Sequence, residues 1–420
     1  MLTTNPKLCD RLEMENSRAT RMRLRICMVA PMIGTTGAGL SSYIQELVPR
    51  LCDAGHDITI LAADCGYKGG DAGEQVRIDS RARLNVFTIN GKVNRRIYRS
   101  PEMTQWMLEH SREFDVIDIQ GVWTCIAADI ADVALKSRIP YVITPHGMMT
   151  RWDWAKQLLA KHIFFETRLR RAWRSAAVVR YLSQGELKNS KVPPRSPYAI
   201  IPNAIATPEV AHSEPAFDLR KHLDIAEGTQ LIVFLGRISE QKGVLELLRA
   251  FEIVQSECPK AVLAVAGPIE GRYGDEVRLL ASQIAGRTRL HLLGGVFGPY
   301  KKALLEAACL FVTLSKNEGL PLAALEALSF GVPTVLTRDS NLPEVETYGA
   351  GVITTCDPGE AAGALKTILQ DPLRLAAMRL QAKDMVRECF SWDVVLPRLI
   401  QLYATVSQTS SADMQDKLDS

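Results

Sequence analysis

The nine cysteines of this chain include no Cys-x-x-Cys pair. This argues against a zinc site or a disulfide framework and favours a reducing compartment. No apolar run approaches the ~18 residues of a membrane-spanning helix. The first 22 residues are polar and contain no secretory apolar core, so a cytoplasmic location is expected. Low-complexity tracts are missing as well. The loop Gly37-Ala38-Gly39-Leu40-Ser41-Ser42 lacks the third glycine of G-x-G-x-x-G, which disfavours a dehydrogenase. Net charge is small, +3, but unevenly spread. Residues 1–205 carry 29 Lys/Arg against 20 Asp/Glu, and the remainder carries 21 against 27. A basic half can face an anionic surface such as a membrane; ordinary surface variation is the other reading.

The 420 residues, 47% apolar and 23% charged, suit about two domains. Apolar runs at 24–30, 57–62, 116–119, 141–144, 178–182 and 199–201 predict strands. A helix is expected at 41–52, ended by Gly55. The mixed stretch 207–228 contains Pro208 and Pro215 and reads as a connection. A second set follows, with strands at 231–235 and 262–266, helices at 244–255 and 276–284, and strands near His291, Phe311, Val335 and Val352. Helical segments run from about 372 to 405. Such alternation predicts an α/β protein with two doubly wound parallel sheets, whose ligand sits at strand C-terminal ends. The expected division is a flexible leader 1–22, a first domain 23–206, a linker 207–228 and a second domain 229–385. A C-terminal helix 386–406 then packs back toward the first domain, followed by a flexible tail 407–420.

The densest signal is Lys316-Asn317-Glu318-Gly319-Leu320-Pro321-Leu322-Ala323-Ala324-Leu325-Glu326-Ala327, after the strand-like Cys309-Leu310-Phe311-Val312-Thr313-Leu314. Pro321 suits a first helical turn and Gly331 the left-handed residue past the end. A loop before that helix presents backbone N–H groups and a positive dipole end to a phosphate or diphosphate. Eight residues of helix rise put Glu318 and Glu326 about 12 Å apart. Glycosidase carboxyl pairs lie roughly 5–9.5 Å apart. These two glutamates therefore suit opposite ends of an extended ligand with an anionic middle, such as a nucleotide sugar. Glu326 lies in an apolar run and needs a polar partner. The turn Gly236-Arg237-Ile238-Ser239-Glu240-Gln241-Lys242-Gly243 adds two cations; Arg can grip phosphate bidentately and Lys acts as a point charge.

The G-R-x-x-x-x-K-G turn and the Glu-x7-Glu segment resemble retaining glycosyltransferases of family 4. Pro202-Asn203-Ala204, Pro343-Glu344-Val345 and Phe390-Ser391-Trp392 also match the pattern, Ala204 replacing the usual Gly. The resemblance implies a GT-B architecture, two Rossmann-like domains facing a central cleft. It implies transfer of a hexose-type sugar from a nucleotide diphosphate sugar to a saccharide or lipid-linked acceptor, with retention, in cell-surface polysaccharide, lipopolysaccharide or glycolipid synthesis. Carried onto this chain, Arg237 and Lys242 bind the diphosphate, and Glu318 contacts sugar hydroxyls. Glu326 takes the ribose, and the N–H groups of Gly319 and Leu320 complete the cradle. His146, in Thr144-Pro145-His146-Gly147-Met148, falls near the donor sugar and reacting centre. Gly39 falls in the family's Gly-Gly loop, where Ala38 departs from the pattern. No Asp-x-Asp occurs in the chain, so no metal and no cofactor are expected. A nucleotide-sugar epimerase of the same architecture, which needs no acceptor, and a non-catalytic sugar-nucleotide-binding protein are the alternatives.

Residues 151–174 interleave Trp152, Trp154, Phe164, Phe165 and Trp173 with Lys156, Lys161, Arg168, Arg170, Arg171 and Arg174. A basic aromatic helix of this kind can lie on an anionic bilayer, giving peripheral association with the inner membrane face, or pack as a solvated surface helix. Nucleic acid is not an expected partner.

Overall fold

A computed structural model of the chain describes residues 22–31, 38–64, 78–89, 97–208, 219–286 and 288–408. The chain forms two compact units, Met1–Ala204 with Trp392–Ser420, and Ile205–Ser391. The first holds seven parallel strands: β1 (Arg25–Ala30), β2 (Asp57–Asp64), β3 (Arg83–Thr88), β4 (Val116–Gln120), β5 (Tyr141–Thr144), β6 (Val178–Tyr181) and β7 (Tyr198–Ile200). Their order is β3-β2-β1-β4-β5-β6-β7. Ile26 to Ala30 of β1 are all buried, because a central parallel strand is covered on both faces and must be apolar throughout. β3 is absent from the sequence expectations. Its residues are only partly buried and alternate with exposed ones, as an edge strand allows, so no continuous apolar run marks it.

The helix Trp392–Ser407 belongs to this first unit and packs on the helix Ala38–Asp53 and on β4. The Trp392 indole donates to Glu46 Oε2 at 2.7 Å and its ring stacks on Tyr43 at 5.8 Å. The expected C-terminal helix thus starts later than residue 386: Val386–Phe390 is a π-helical turn of the second unit. The expected leader and tail fall almost wholly outside the described residues.

Residues 151–174 do not form one helix. They form Arg151–Ala155, Leu158–Phe164, a π-helical turn Phe165–Leu169, and Arg170–Ser175. The π turn inserts an extra residue and rotates the faces. Trp154, Phe165, Leu169 and Trp173 are core residues. Arg168 pairs with the buried Asp129, Arg170 with Glu166 at 2.5 Å, and Lys161 with Asp153 at 2.5 Å. Leu158, Leu159 and Ile163 are exposed instead, at 57%, 73% and 53%. Among the described residues no helix is long and apolar enough to cross a membrane.

The second unit holds β8 (Gln230–Leu235), β9 (Ala261–Ala266), β10 (Leu290–Gly294), β11 (Leu310–Thr313), β12 (Thr334–Thr337) and β13 (Gly351–Thr354). They form a parallel sheet in the order β10-β9-β8-β11-β12-β13. The helix Val244–Glu257 packs against Pro358–Leu369, and both bury apolar faces in one core with β8, β9 and β11. The helix Pro358–Leu369 is not among the sequence expectations, although Asp357 caps it by accepting from the Glu360 N–H at 2.9 Å, directly before Pro358. That is a legible start signal. Of the expected connection 207–228, residues 209–218 lie outside the described residues.

Candidate functional site

In the second unit, the turn after β8 and the loop after β11 meet. Glu240–Lys242 is one 3-10 turn, closed by Gly243 in the left-handed region at φ 64. A Cβ on Gly243 would lie 2.1 Å from the Leu314 carbonyl oxygen. Glycine is required there twice, by its backbone angle and by the approach. This close passage puts Lys242 onto the next loop, where its Nζ donates to Glu318 Oε1 in an ion pair. Gln241 spans the same two loops, donating to the Asn317 carbonyl at 2.8 Å while its own carbonyl accepts from the Lys316 N–H at 2.8 Å.

Glu318 is buried and held from every side. Ser315 Oγ donates to Oε1 at 2.7 Å, and Asn341 Nδ2 donates to the Glu318 carbonyl at 2.6 Å. The Glu318 N–H donates to the Asp339 carbonyl at 3.0 Å, so it is not part of an open cradle. Asn341 itself stands at φ 58. Gly319 and Leu320 are buried beside Glu318. The helix Leu322–Ser329 follows, with Pro321 at its N-cap and Gly331 at φ 74 beyond its end.

Glu326 finds its polar partner in Lys301, whose Nζ lies 3.1 Å from each carboxylate oxygen. Lys301 sits on the helix Gly298–Ala307, which the sequence analysis does not assign. The partner that Glu326 requires is therefore supplied by the fold itself. Arg237 is exposed, and its guanidinium makes no hydrogen bond or ion pair among the described residues. The structure thus joins Lys242 to Glu318 and leaves Arg237 and Glu326 outside that contact.

In the first unit, His146 ends the β5 side of the sheet at φ 52, an uncommon angle for a bulky residue, and Gly147 follows at φ 78. Glu186 holds this turn. Its buried carboxylate accepts from the Gly147 N–H at 2.5 Å and the Leu182 N–H at 2.7 Å. Burial pushes the Glu186 carboxyl up to about 7. His146 Nε2 lies 2.6 Å from Gln120 Oε1, and Gln120 Nε2 donates to Asp118 Oδ2 at 2.6 Å. Burial, and then the Arg180 charge, push the His146 imidazole down to about 3, so it is neutral. Arg180 is fully buried and spends its donors on the Ile201 and Pro202 carbonyls, Asn203 Oδ1 and Tyr43 Oη, at 2.8–3.1 Å. The Pro202-Asn203-Ala204 turn is anchored by it.

Gly39 lies in the first turn of the helix Ala38–Asp53 and not in a loop; residues 32–37 before it lie outside the described residues. Gln120, Asp118, Glu186, Lys301, Ser315 and Asn341 escaped the sequence analysis. Asp118 carried a usable signal, a carboxylate inside the apolar strand Val-Ile-Asp-Ile-Gln, which demands buried partners. Lys301, Asn341 and the Gly147 bond of Glu186 had none, because those partners lie 25, 23 and 39 residues away, and the near partners of Gln120 and Ser315 are not marked by residue type alone.

Two family models match the chain: "Glycosyl transferase 4-like domain" over residues 38–204 and "Glycosyl transferases group 1" over residues 216–385. An uncharacterized glycosyltransferase of Methanocaldococcus jannaschii is 28% identical over 45% of this chain, a match spanning only 48% of that relative's length. A GDP-mannose-dependent monoacylated alpha-(1-6)-phosphatidylinositol monomannoside mannosyltransferase of Corynebacterium glutamicum is 26% identical, covering 72% of this chain and 80% of the relative. Among solved structures, Anabaena HepE in complex with UDP and glucose superposes with a TM-score of 0.69 at 18% identity, covering 91% of this chain and 100% of that one. With both sheets Rossmann-like and both halves matched in order along the sequence, this chain belongs to the GT4-type glycosyltransferases of GT-B fold.

Proposed function

We propose that this glycosyltransferase moves a hexose from a nucleotide diphosphate sugar to a saccharide or lipid-linked acceptor, with retention and without a metal. The pathway would be synthesis of a cell-surface polysaccharide, lipopolysaccharide or glycolipid. The observation that carries the reading is the contact of Lys242 with Glu318, which brings a phosphate-binding type of cation and a hydroxyl-binding carboxylate to one spot. In this reading Arg237 and Lys242 take the diphosphate, Glu318 takes sugar hydroxyls and Glu326 the ribose. Gly319 and Leu320 adjoin Glu318, and Gly39 and His146 belong to the acceptor-side unit. The bond from the anomeric carbon to the diphosphate oxygen breaks, and the acceptor oxygen bonds that carbon on the same face. The acceptor proton passes to the leaving phosphate. Stabilisation of that leaving group by the two cations supplies the catalysis.

Relatives and neighbours support a nucleotide sugar without choosing its base: one relative's name specifies GDP-mannose, and HepE is seen with UDP. The mannosyltransferase name also favours a membrane-borne acceptor. Leu158, Leu159 and Ile163, exposed beside the exposed Lys156 and His162, are the surface proposed to meet the inner face of an anionic membrane.

The test is a thermal-shift panel of uridine, guanosine and adenosine diphosphates and their sugars, with and without EDTA, since a ligand of the folded state raises its melting temperature. One nucleotide series should stabilise the protein equally with and without chelator. Replacing Arg237 or Lys242 with Ala should abolish the diphosphate shift and spare any shift from the free nucleoside. No shift from any nucleotide sinks the reading.

A further inference from the structure

Beneath His146 lies a buried hydrogen-bond chain whose direction follows from an ionised Asp118 at its base. Asp118 is fully buried; burial pushes its carboxyl above the ordinary carboxylate range, while the Tyr403 hydroxyl, the Arg180 charge and the Gln120 amide favour the ionised form, which can only accept. Its Oδ2 takes the Tyr403 hydroxyl at 2.6 Å and the Gln120 amide N–H at 2.6 Å. With its nitrogen committed to Asp118, Gln120 can offer His146 only its carbonyl oxygen. The nitrogen of His146 facing that oxygen at 2.6 Å must therefore carry the hydrogen. Tyr403 comes from the helix Trp392–Ser407, 285 residues away from Asp118 but in the same unit.

We propose that Asp118, held by Tyr403, and Gln120 are positioning residues that fix His146 as the Nε2–H tautomer, leaving Nδ1 as an acceptor for a substrate hydroxyl. The role of that hydroxyl rests on the glycosyltransferase reading above; the tautomer does not. Three further observations agree. The imidazole is held neutral by burial, so one ring nitrogen keeps its lone pair. Nδ1 has no hydrogen bond among the described residues. The backbone beneath the ring is pinned at φ 52 by the Glu186 bond to the Gly147 N–H, a strained conformation that its surroundings must enforce. A fixed acceptor nitrogen selects ligand groups that donate. A sugar hydroxyl qualifies, whereas a carboxylate or a phosphate dianion offers no hydrogen and is rejected.

The experiment is long-range proton–nitrogen correlation on full-length protein labelled with nitrogen-15 histidine. His146→Gln identifies the His146 signals among those of seven histidines. Wild type should show a protonated Nε2 and an unprotonated Nδ1, unchanged down to pH 5. Gln120→Leu should give a mixture of tautomers. Gln120→Glu should make His146 take up a proton within the accessible range, because a carboxylate beside the ring favours imidazolium. In a transfer assay Gln120→Leu should lower kcat by roughly tenfold to hundredfold and leave the donor KM within about twofold. A wild-type Nδ1–H, or the same single tautomer in Gln120→Leu, overturns the positioning role. Nucleotide thermal shifts on the same samples keep the two readings apart. Their absence in wild type removes the transferase reading and leaves the tautomer result standing.

Discussion

Replacing Gly243 with alanine tests how the fold delivers Lys242 to Glu318. The residue stands at φ 64, and its new Cβ would meet the Leu314 carbonyl oxygen at 2.1 Å and carbon at 2.9 Å. A left-handed angle costs a non-glycine residue about 1–2 kcal/mol. Overlap with backbone, which cannot swing away as a flexible side chain can, adds about 1–3 kcal/mol. Stiffening of the unfolded chain offsets about 0.4–1 kcal/mol. The net loss is a sizeable part of the ~5–15 kcal/mol that stabilises a typical fold. Gly349 is the control: it lies in the same unit at φ 68 with nothing within 4 Å of an added Cβ. Gly349→Ala pays the backbone cost alone, so Gly243→Ala should be less stable than it by about 1–3 kcal/mol in urea unfolding. Nucleotide diphosphate affinity should fall by roughly tenfold or more in Gly243→Ala, since a charge-assisted contact contributes about 1.5–3 kcal/mol, and stay unchanged in Gly349→Ala. Equal stability of the two variants, with both keeping wild-type affinity, would refute the reasoning.

Glu326→Gln should weaken binding of the nucleoside diphosphate by about tenfold, while Glu318→Gln should spare it and reduce transfer and sugar discrimination; titration calorimetry and a transfer assay give the comparison, and the reverse pattern contradicts the donor orientation. Glu186 gives a pH signature. Its folded value of about 7 lies above its ordinary 4.5, so the folded state holds a proton that the unfolded state has released. Its contribution is present below pH 4.5 and is lost as pH rises through 7, on the order of 3 kcal/mol. Urea midpoints of wild type relative to Glu186→Gln should fall between pH 5 and 8, and a constant difference rejects the assignment. For the membrane surface, Leu159→Asp with Ile163→Asp should remove co-sedimentation with anionic liposomes, and wild-type binding should weaken steeply with salt. Wild type that ignores anionic lipid defeats the proposal.

Much of the architecture is legible along the chain because its causes are local. Central parallel strands are apolar throughout, so β5 at Tyr141–Thr144 falls where the sequence places it. Gly331 closes its helix in the left-handed region because a residue without Cβ pays least there. The Lys242 turn and the Glu318 loop could be singled out by residue type and spacing alone.

What only the tertiary structure decided is which distant groups meet. Lys301 reaches Glu326 across 25 residues of sequence within one unit, and Tyr403 reaches Asp118 because the last helix returns to the first sheet. Segment 151–174 has an aromatic–basic pattern that suits a helix lying on a membrane and a solvated surface helix alike. The fold draws Trp154, Phe165 and Trp173 into the core and leaves Leu158, Leu159 and Ile163 outside. Residue type and helical period record that a side chain is apolar or charged. The partner that satisfies it is chosen by packing, through contacts between parts of the chain that hold no information about each other until the chain folds.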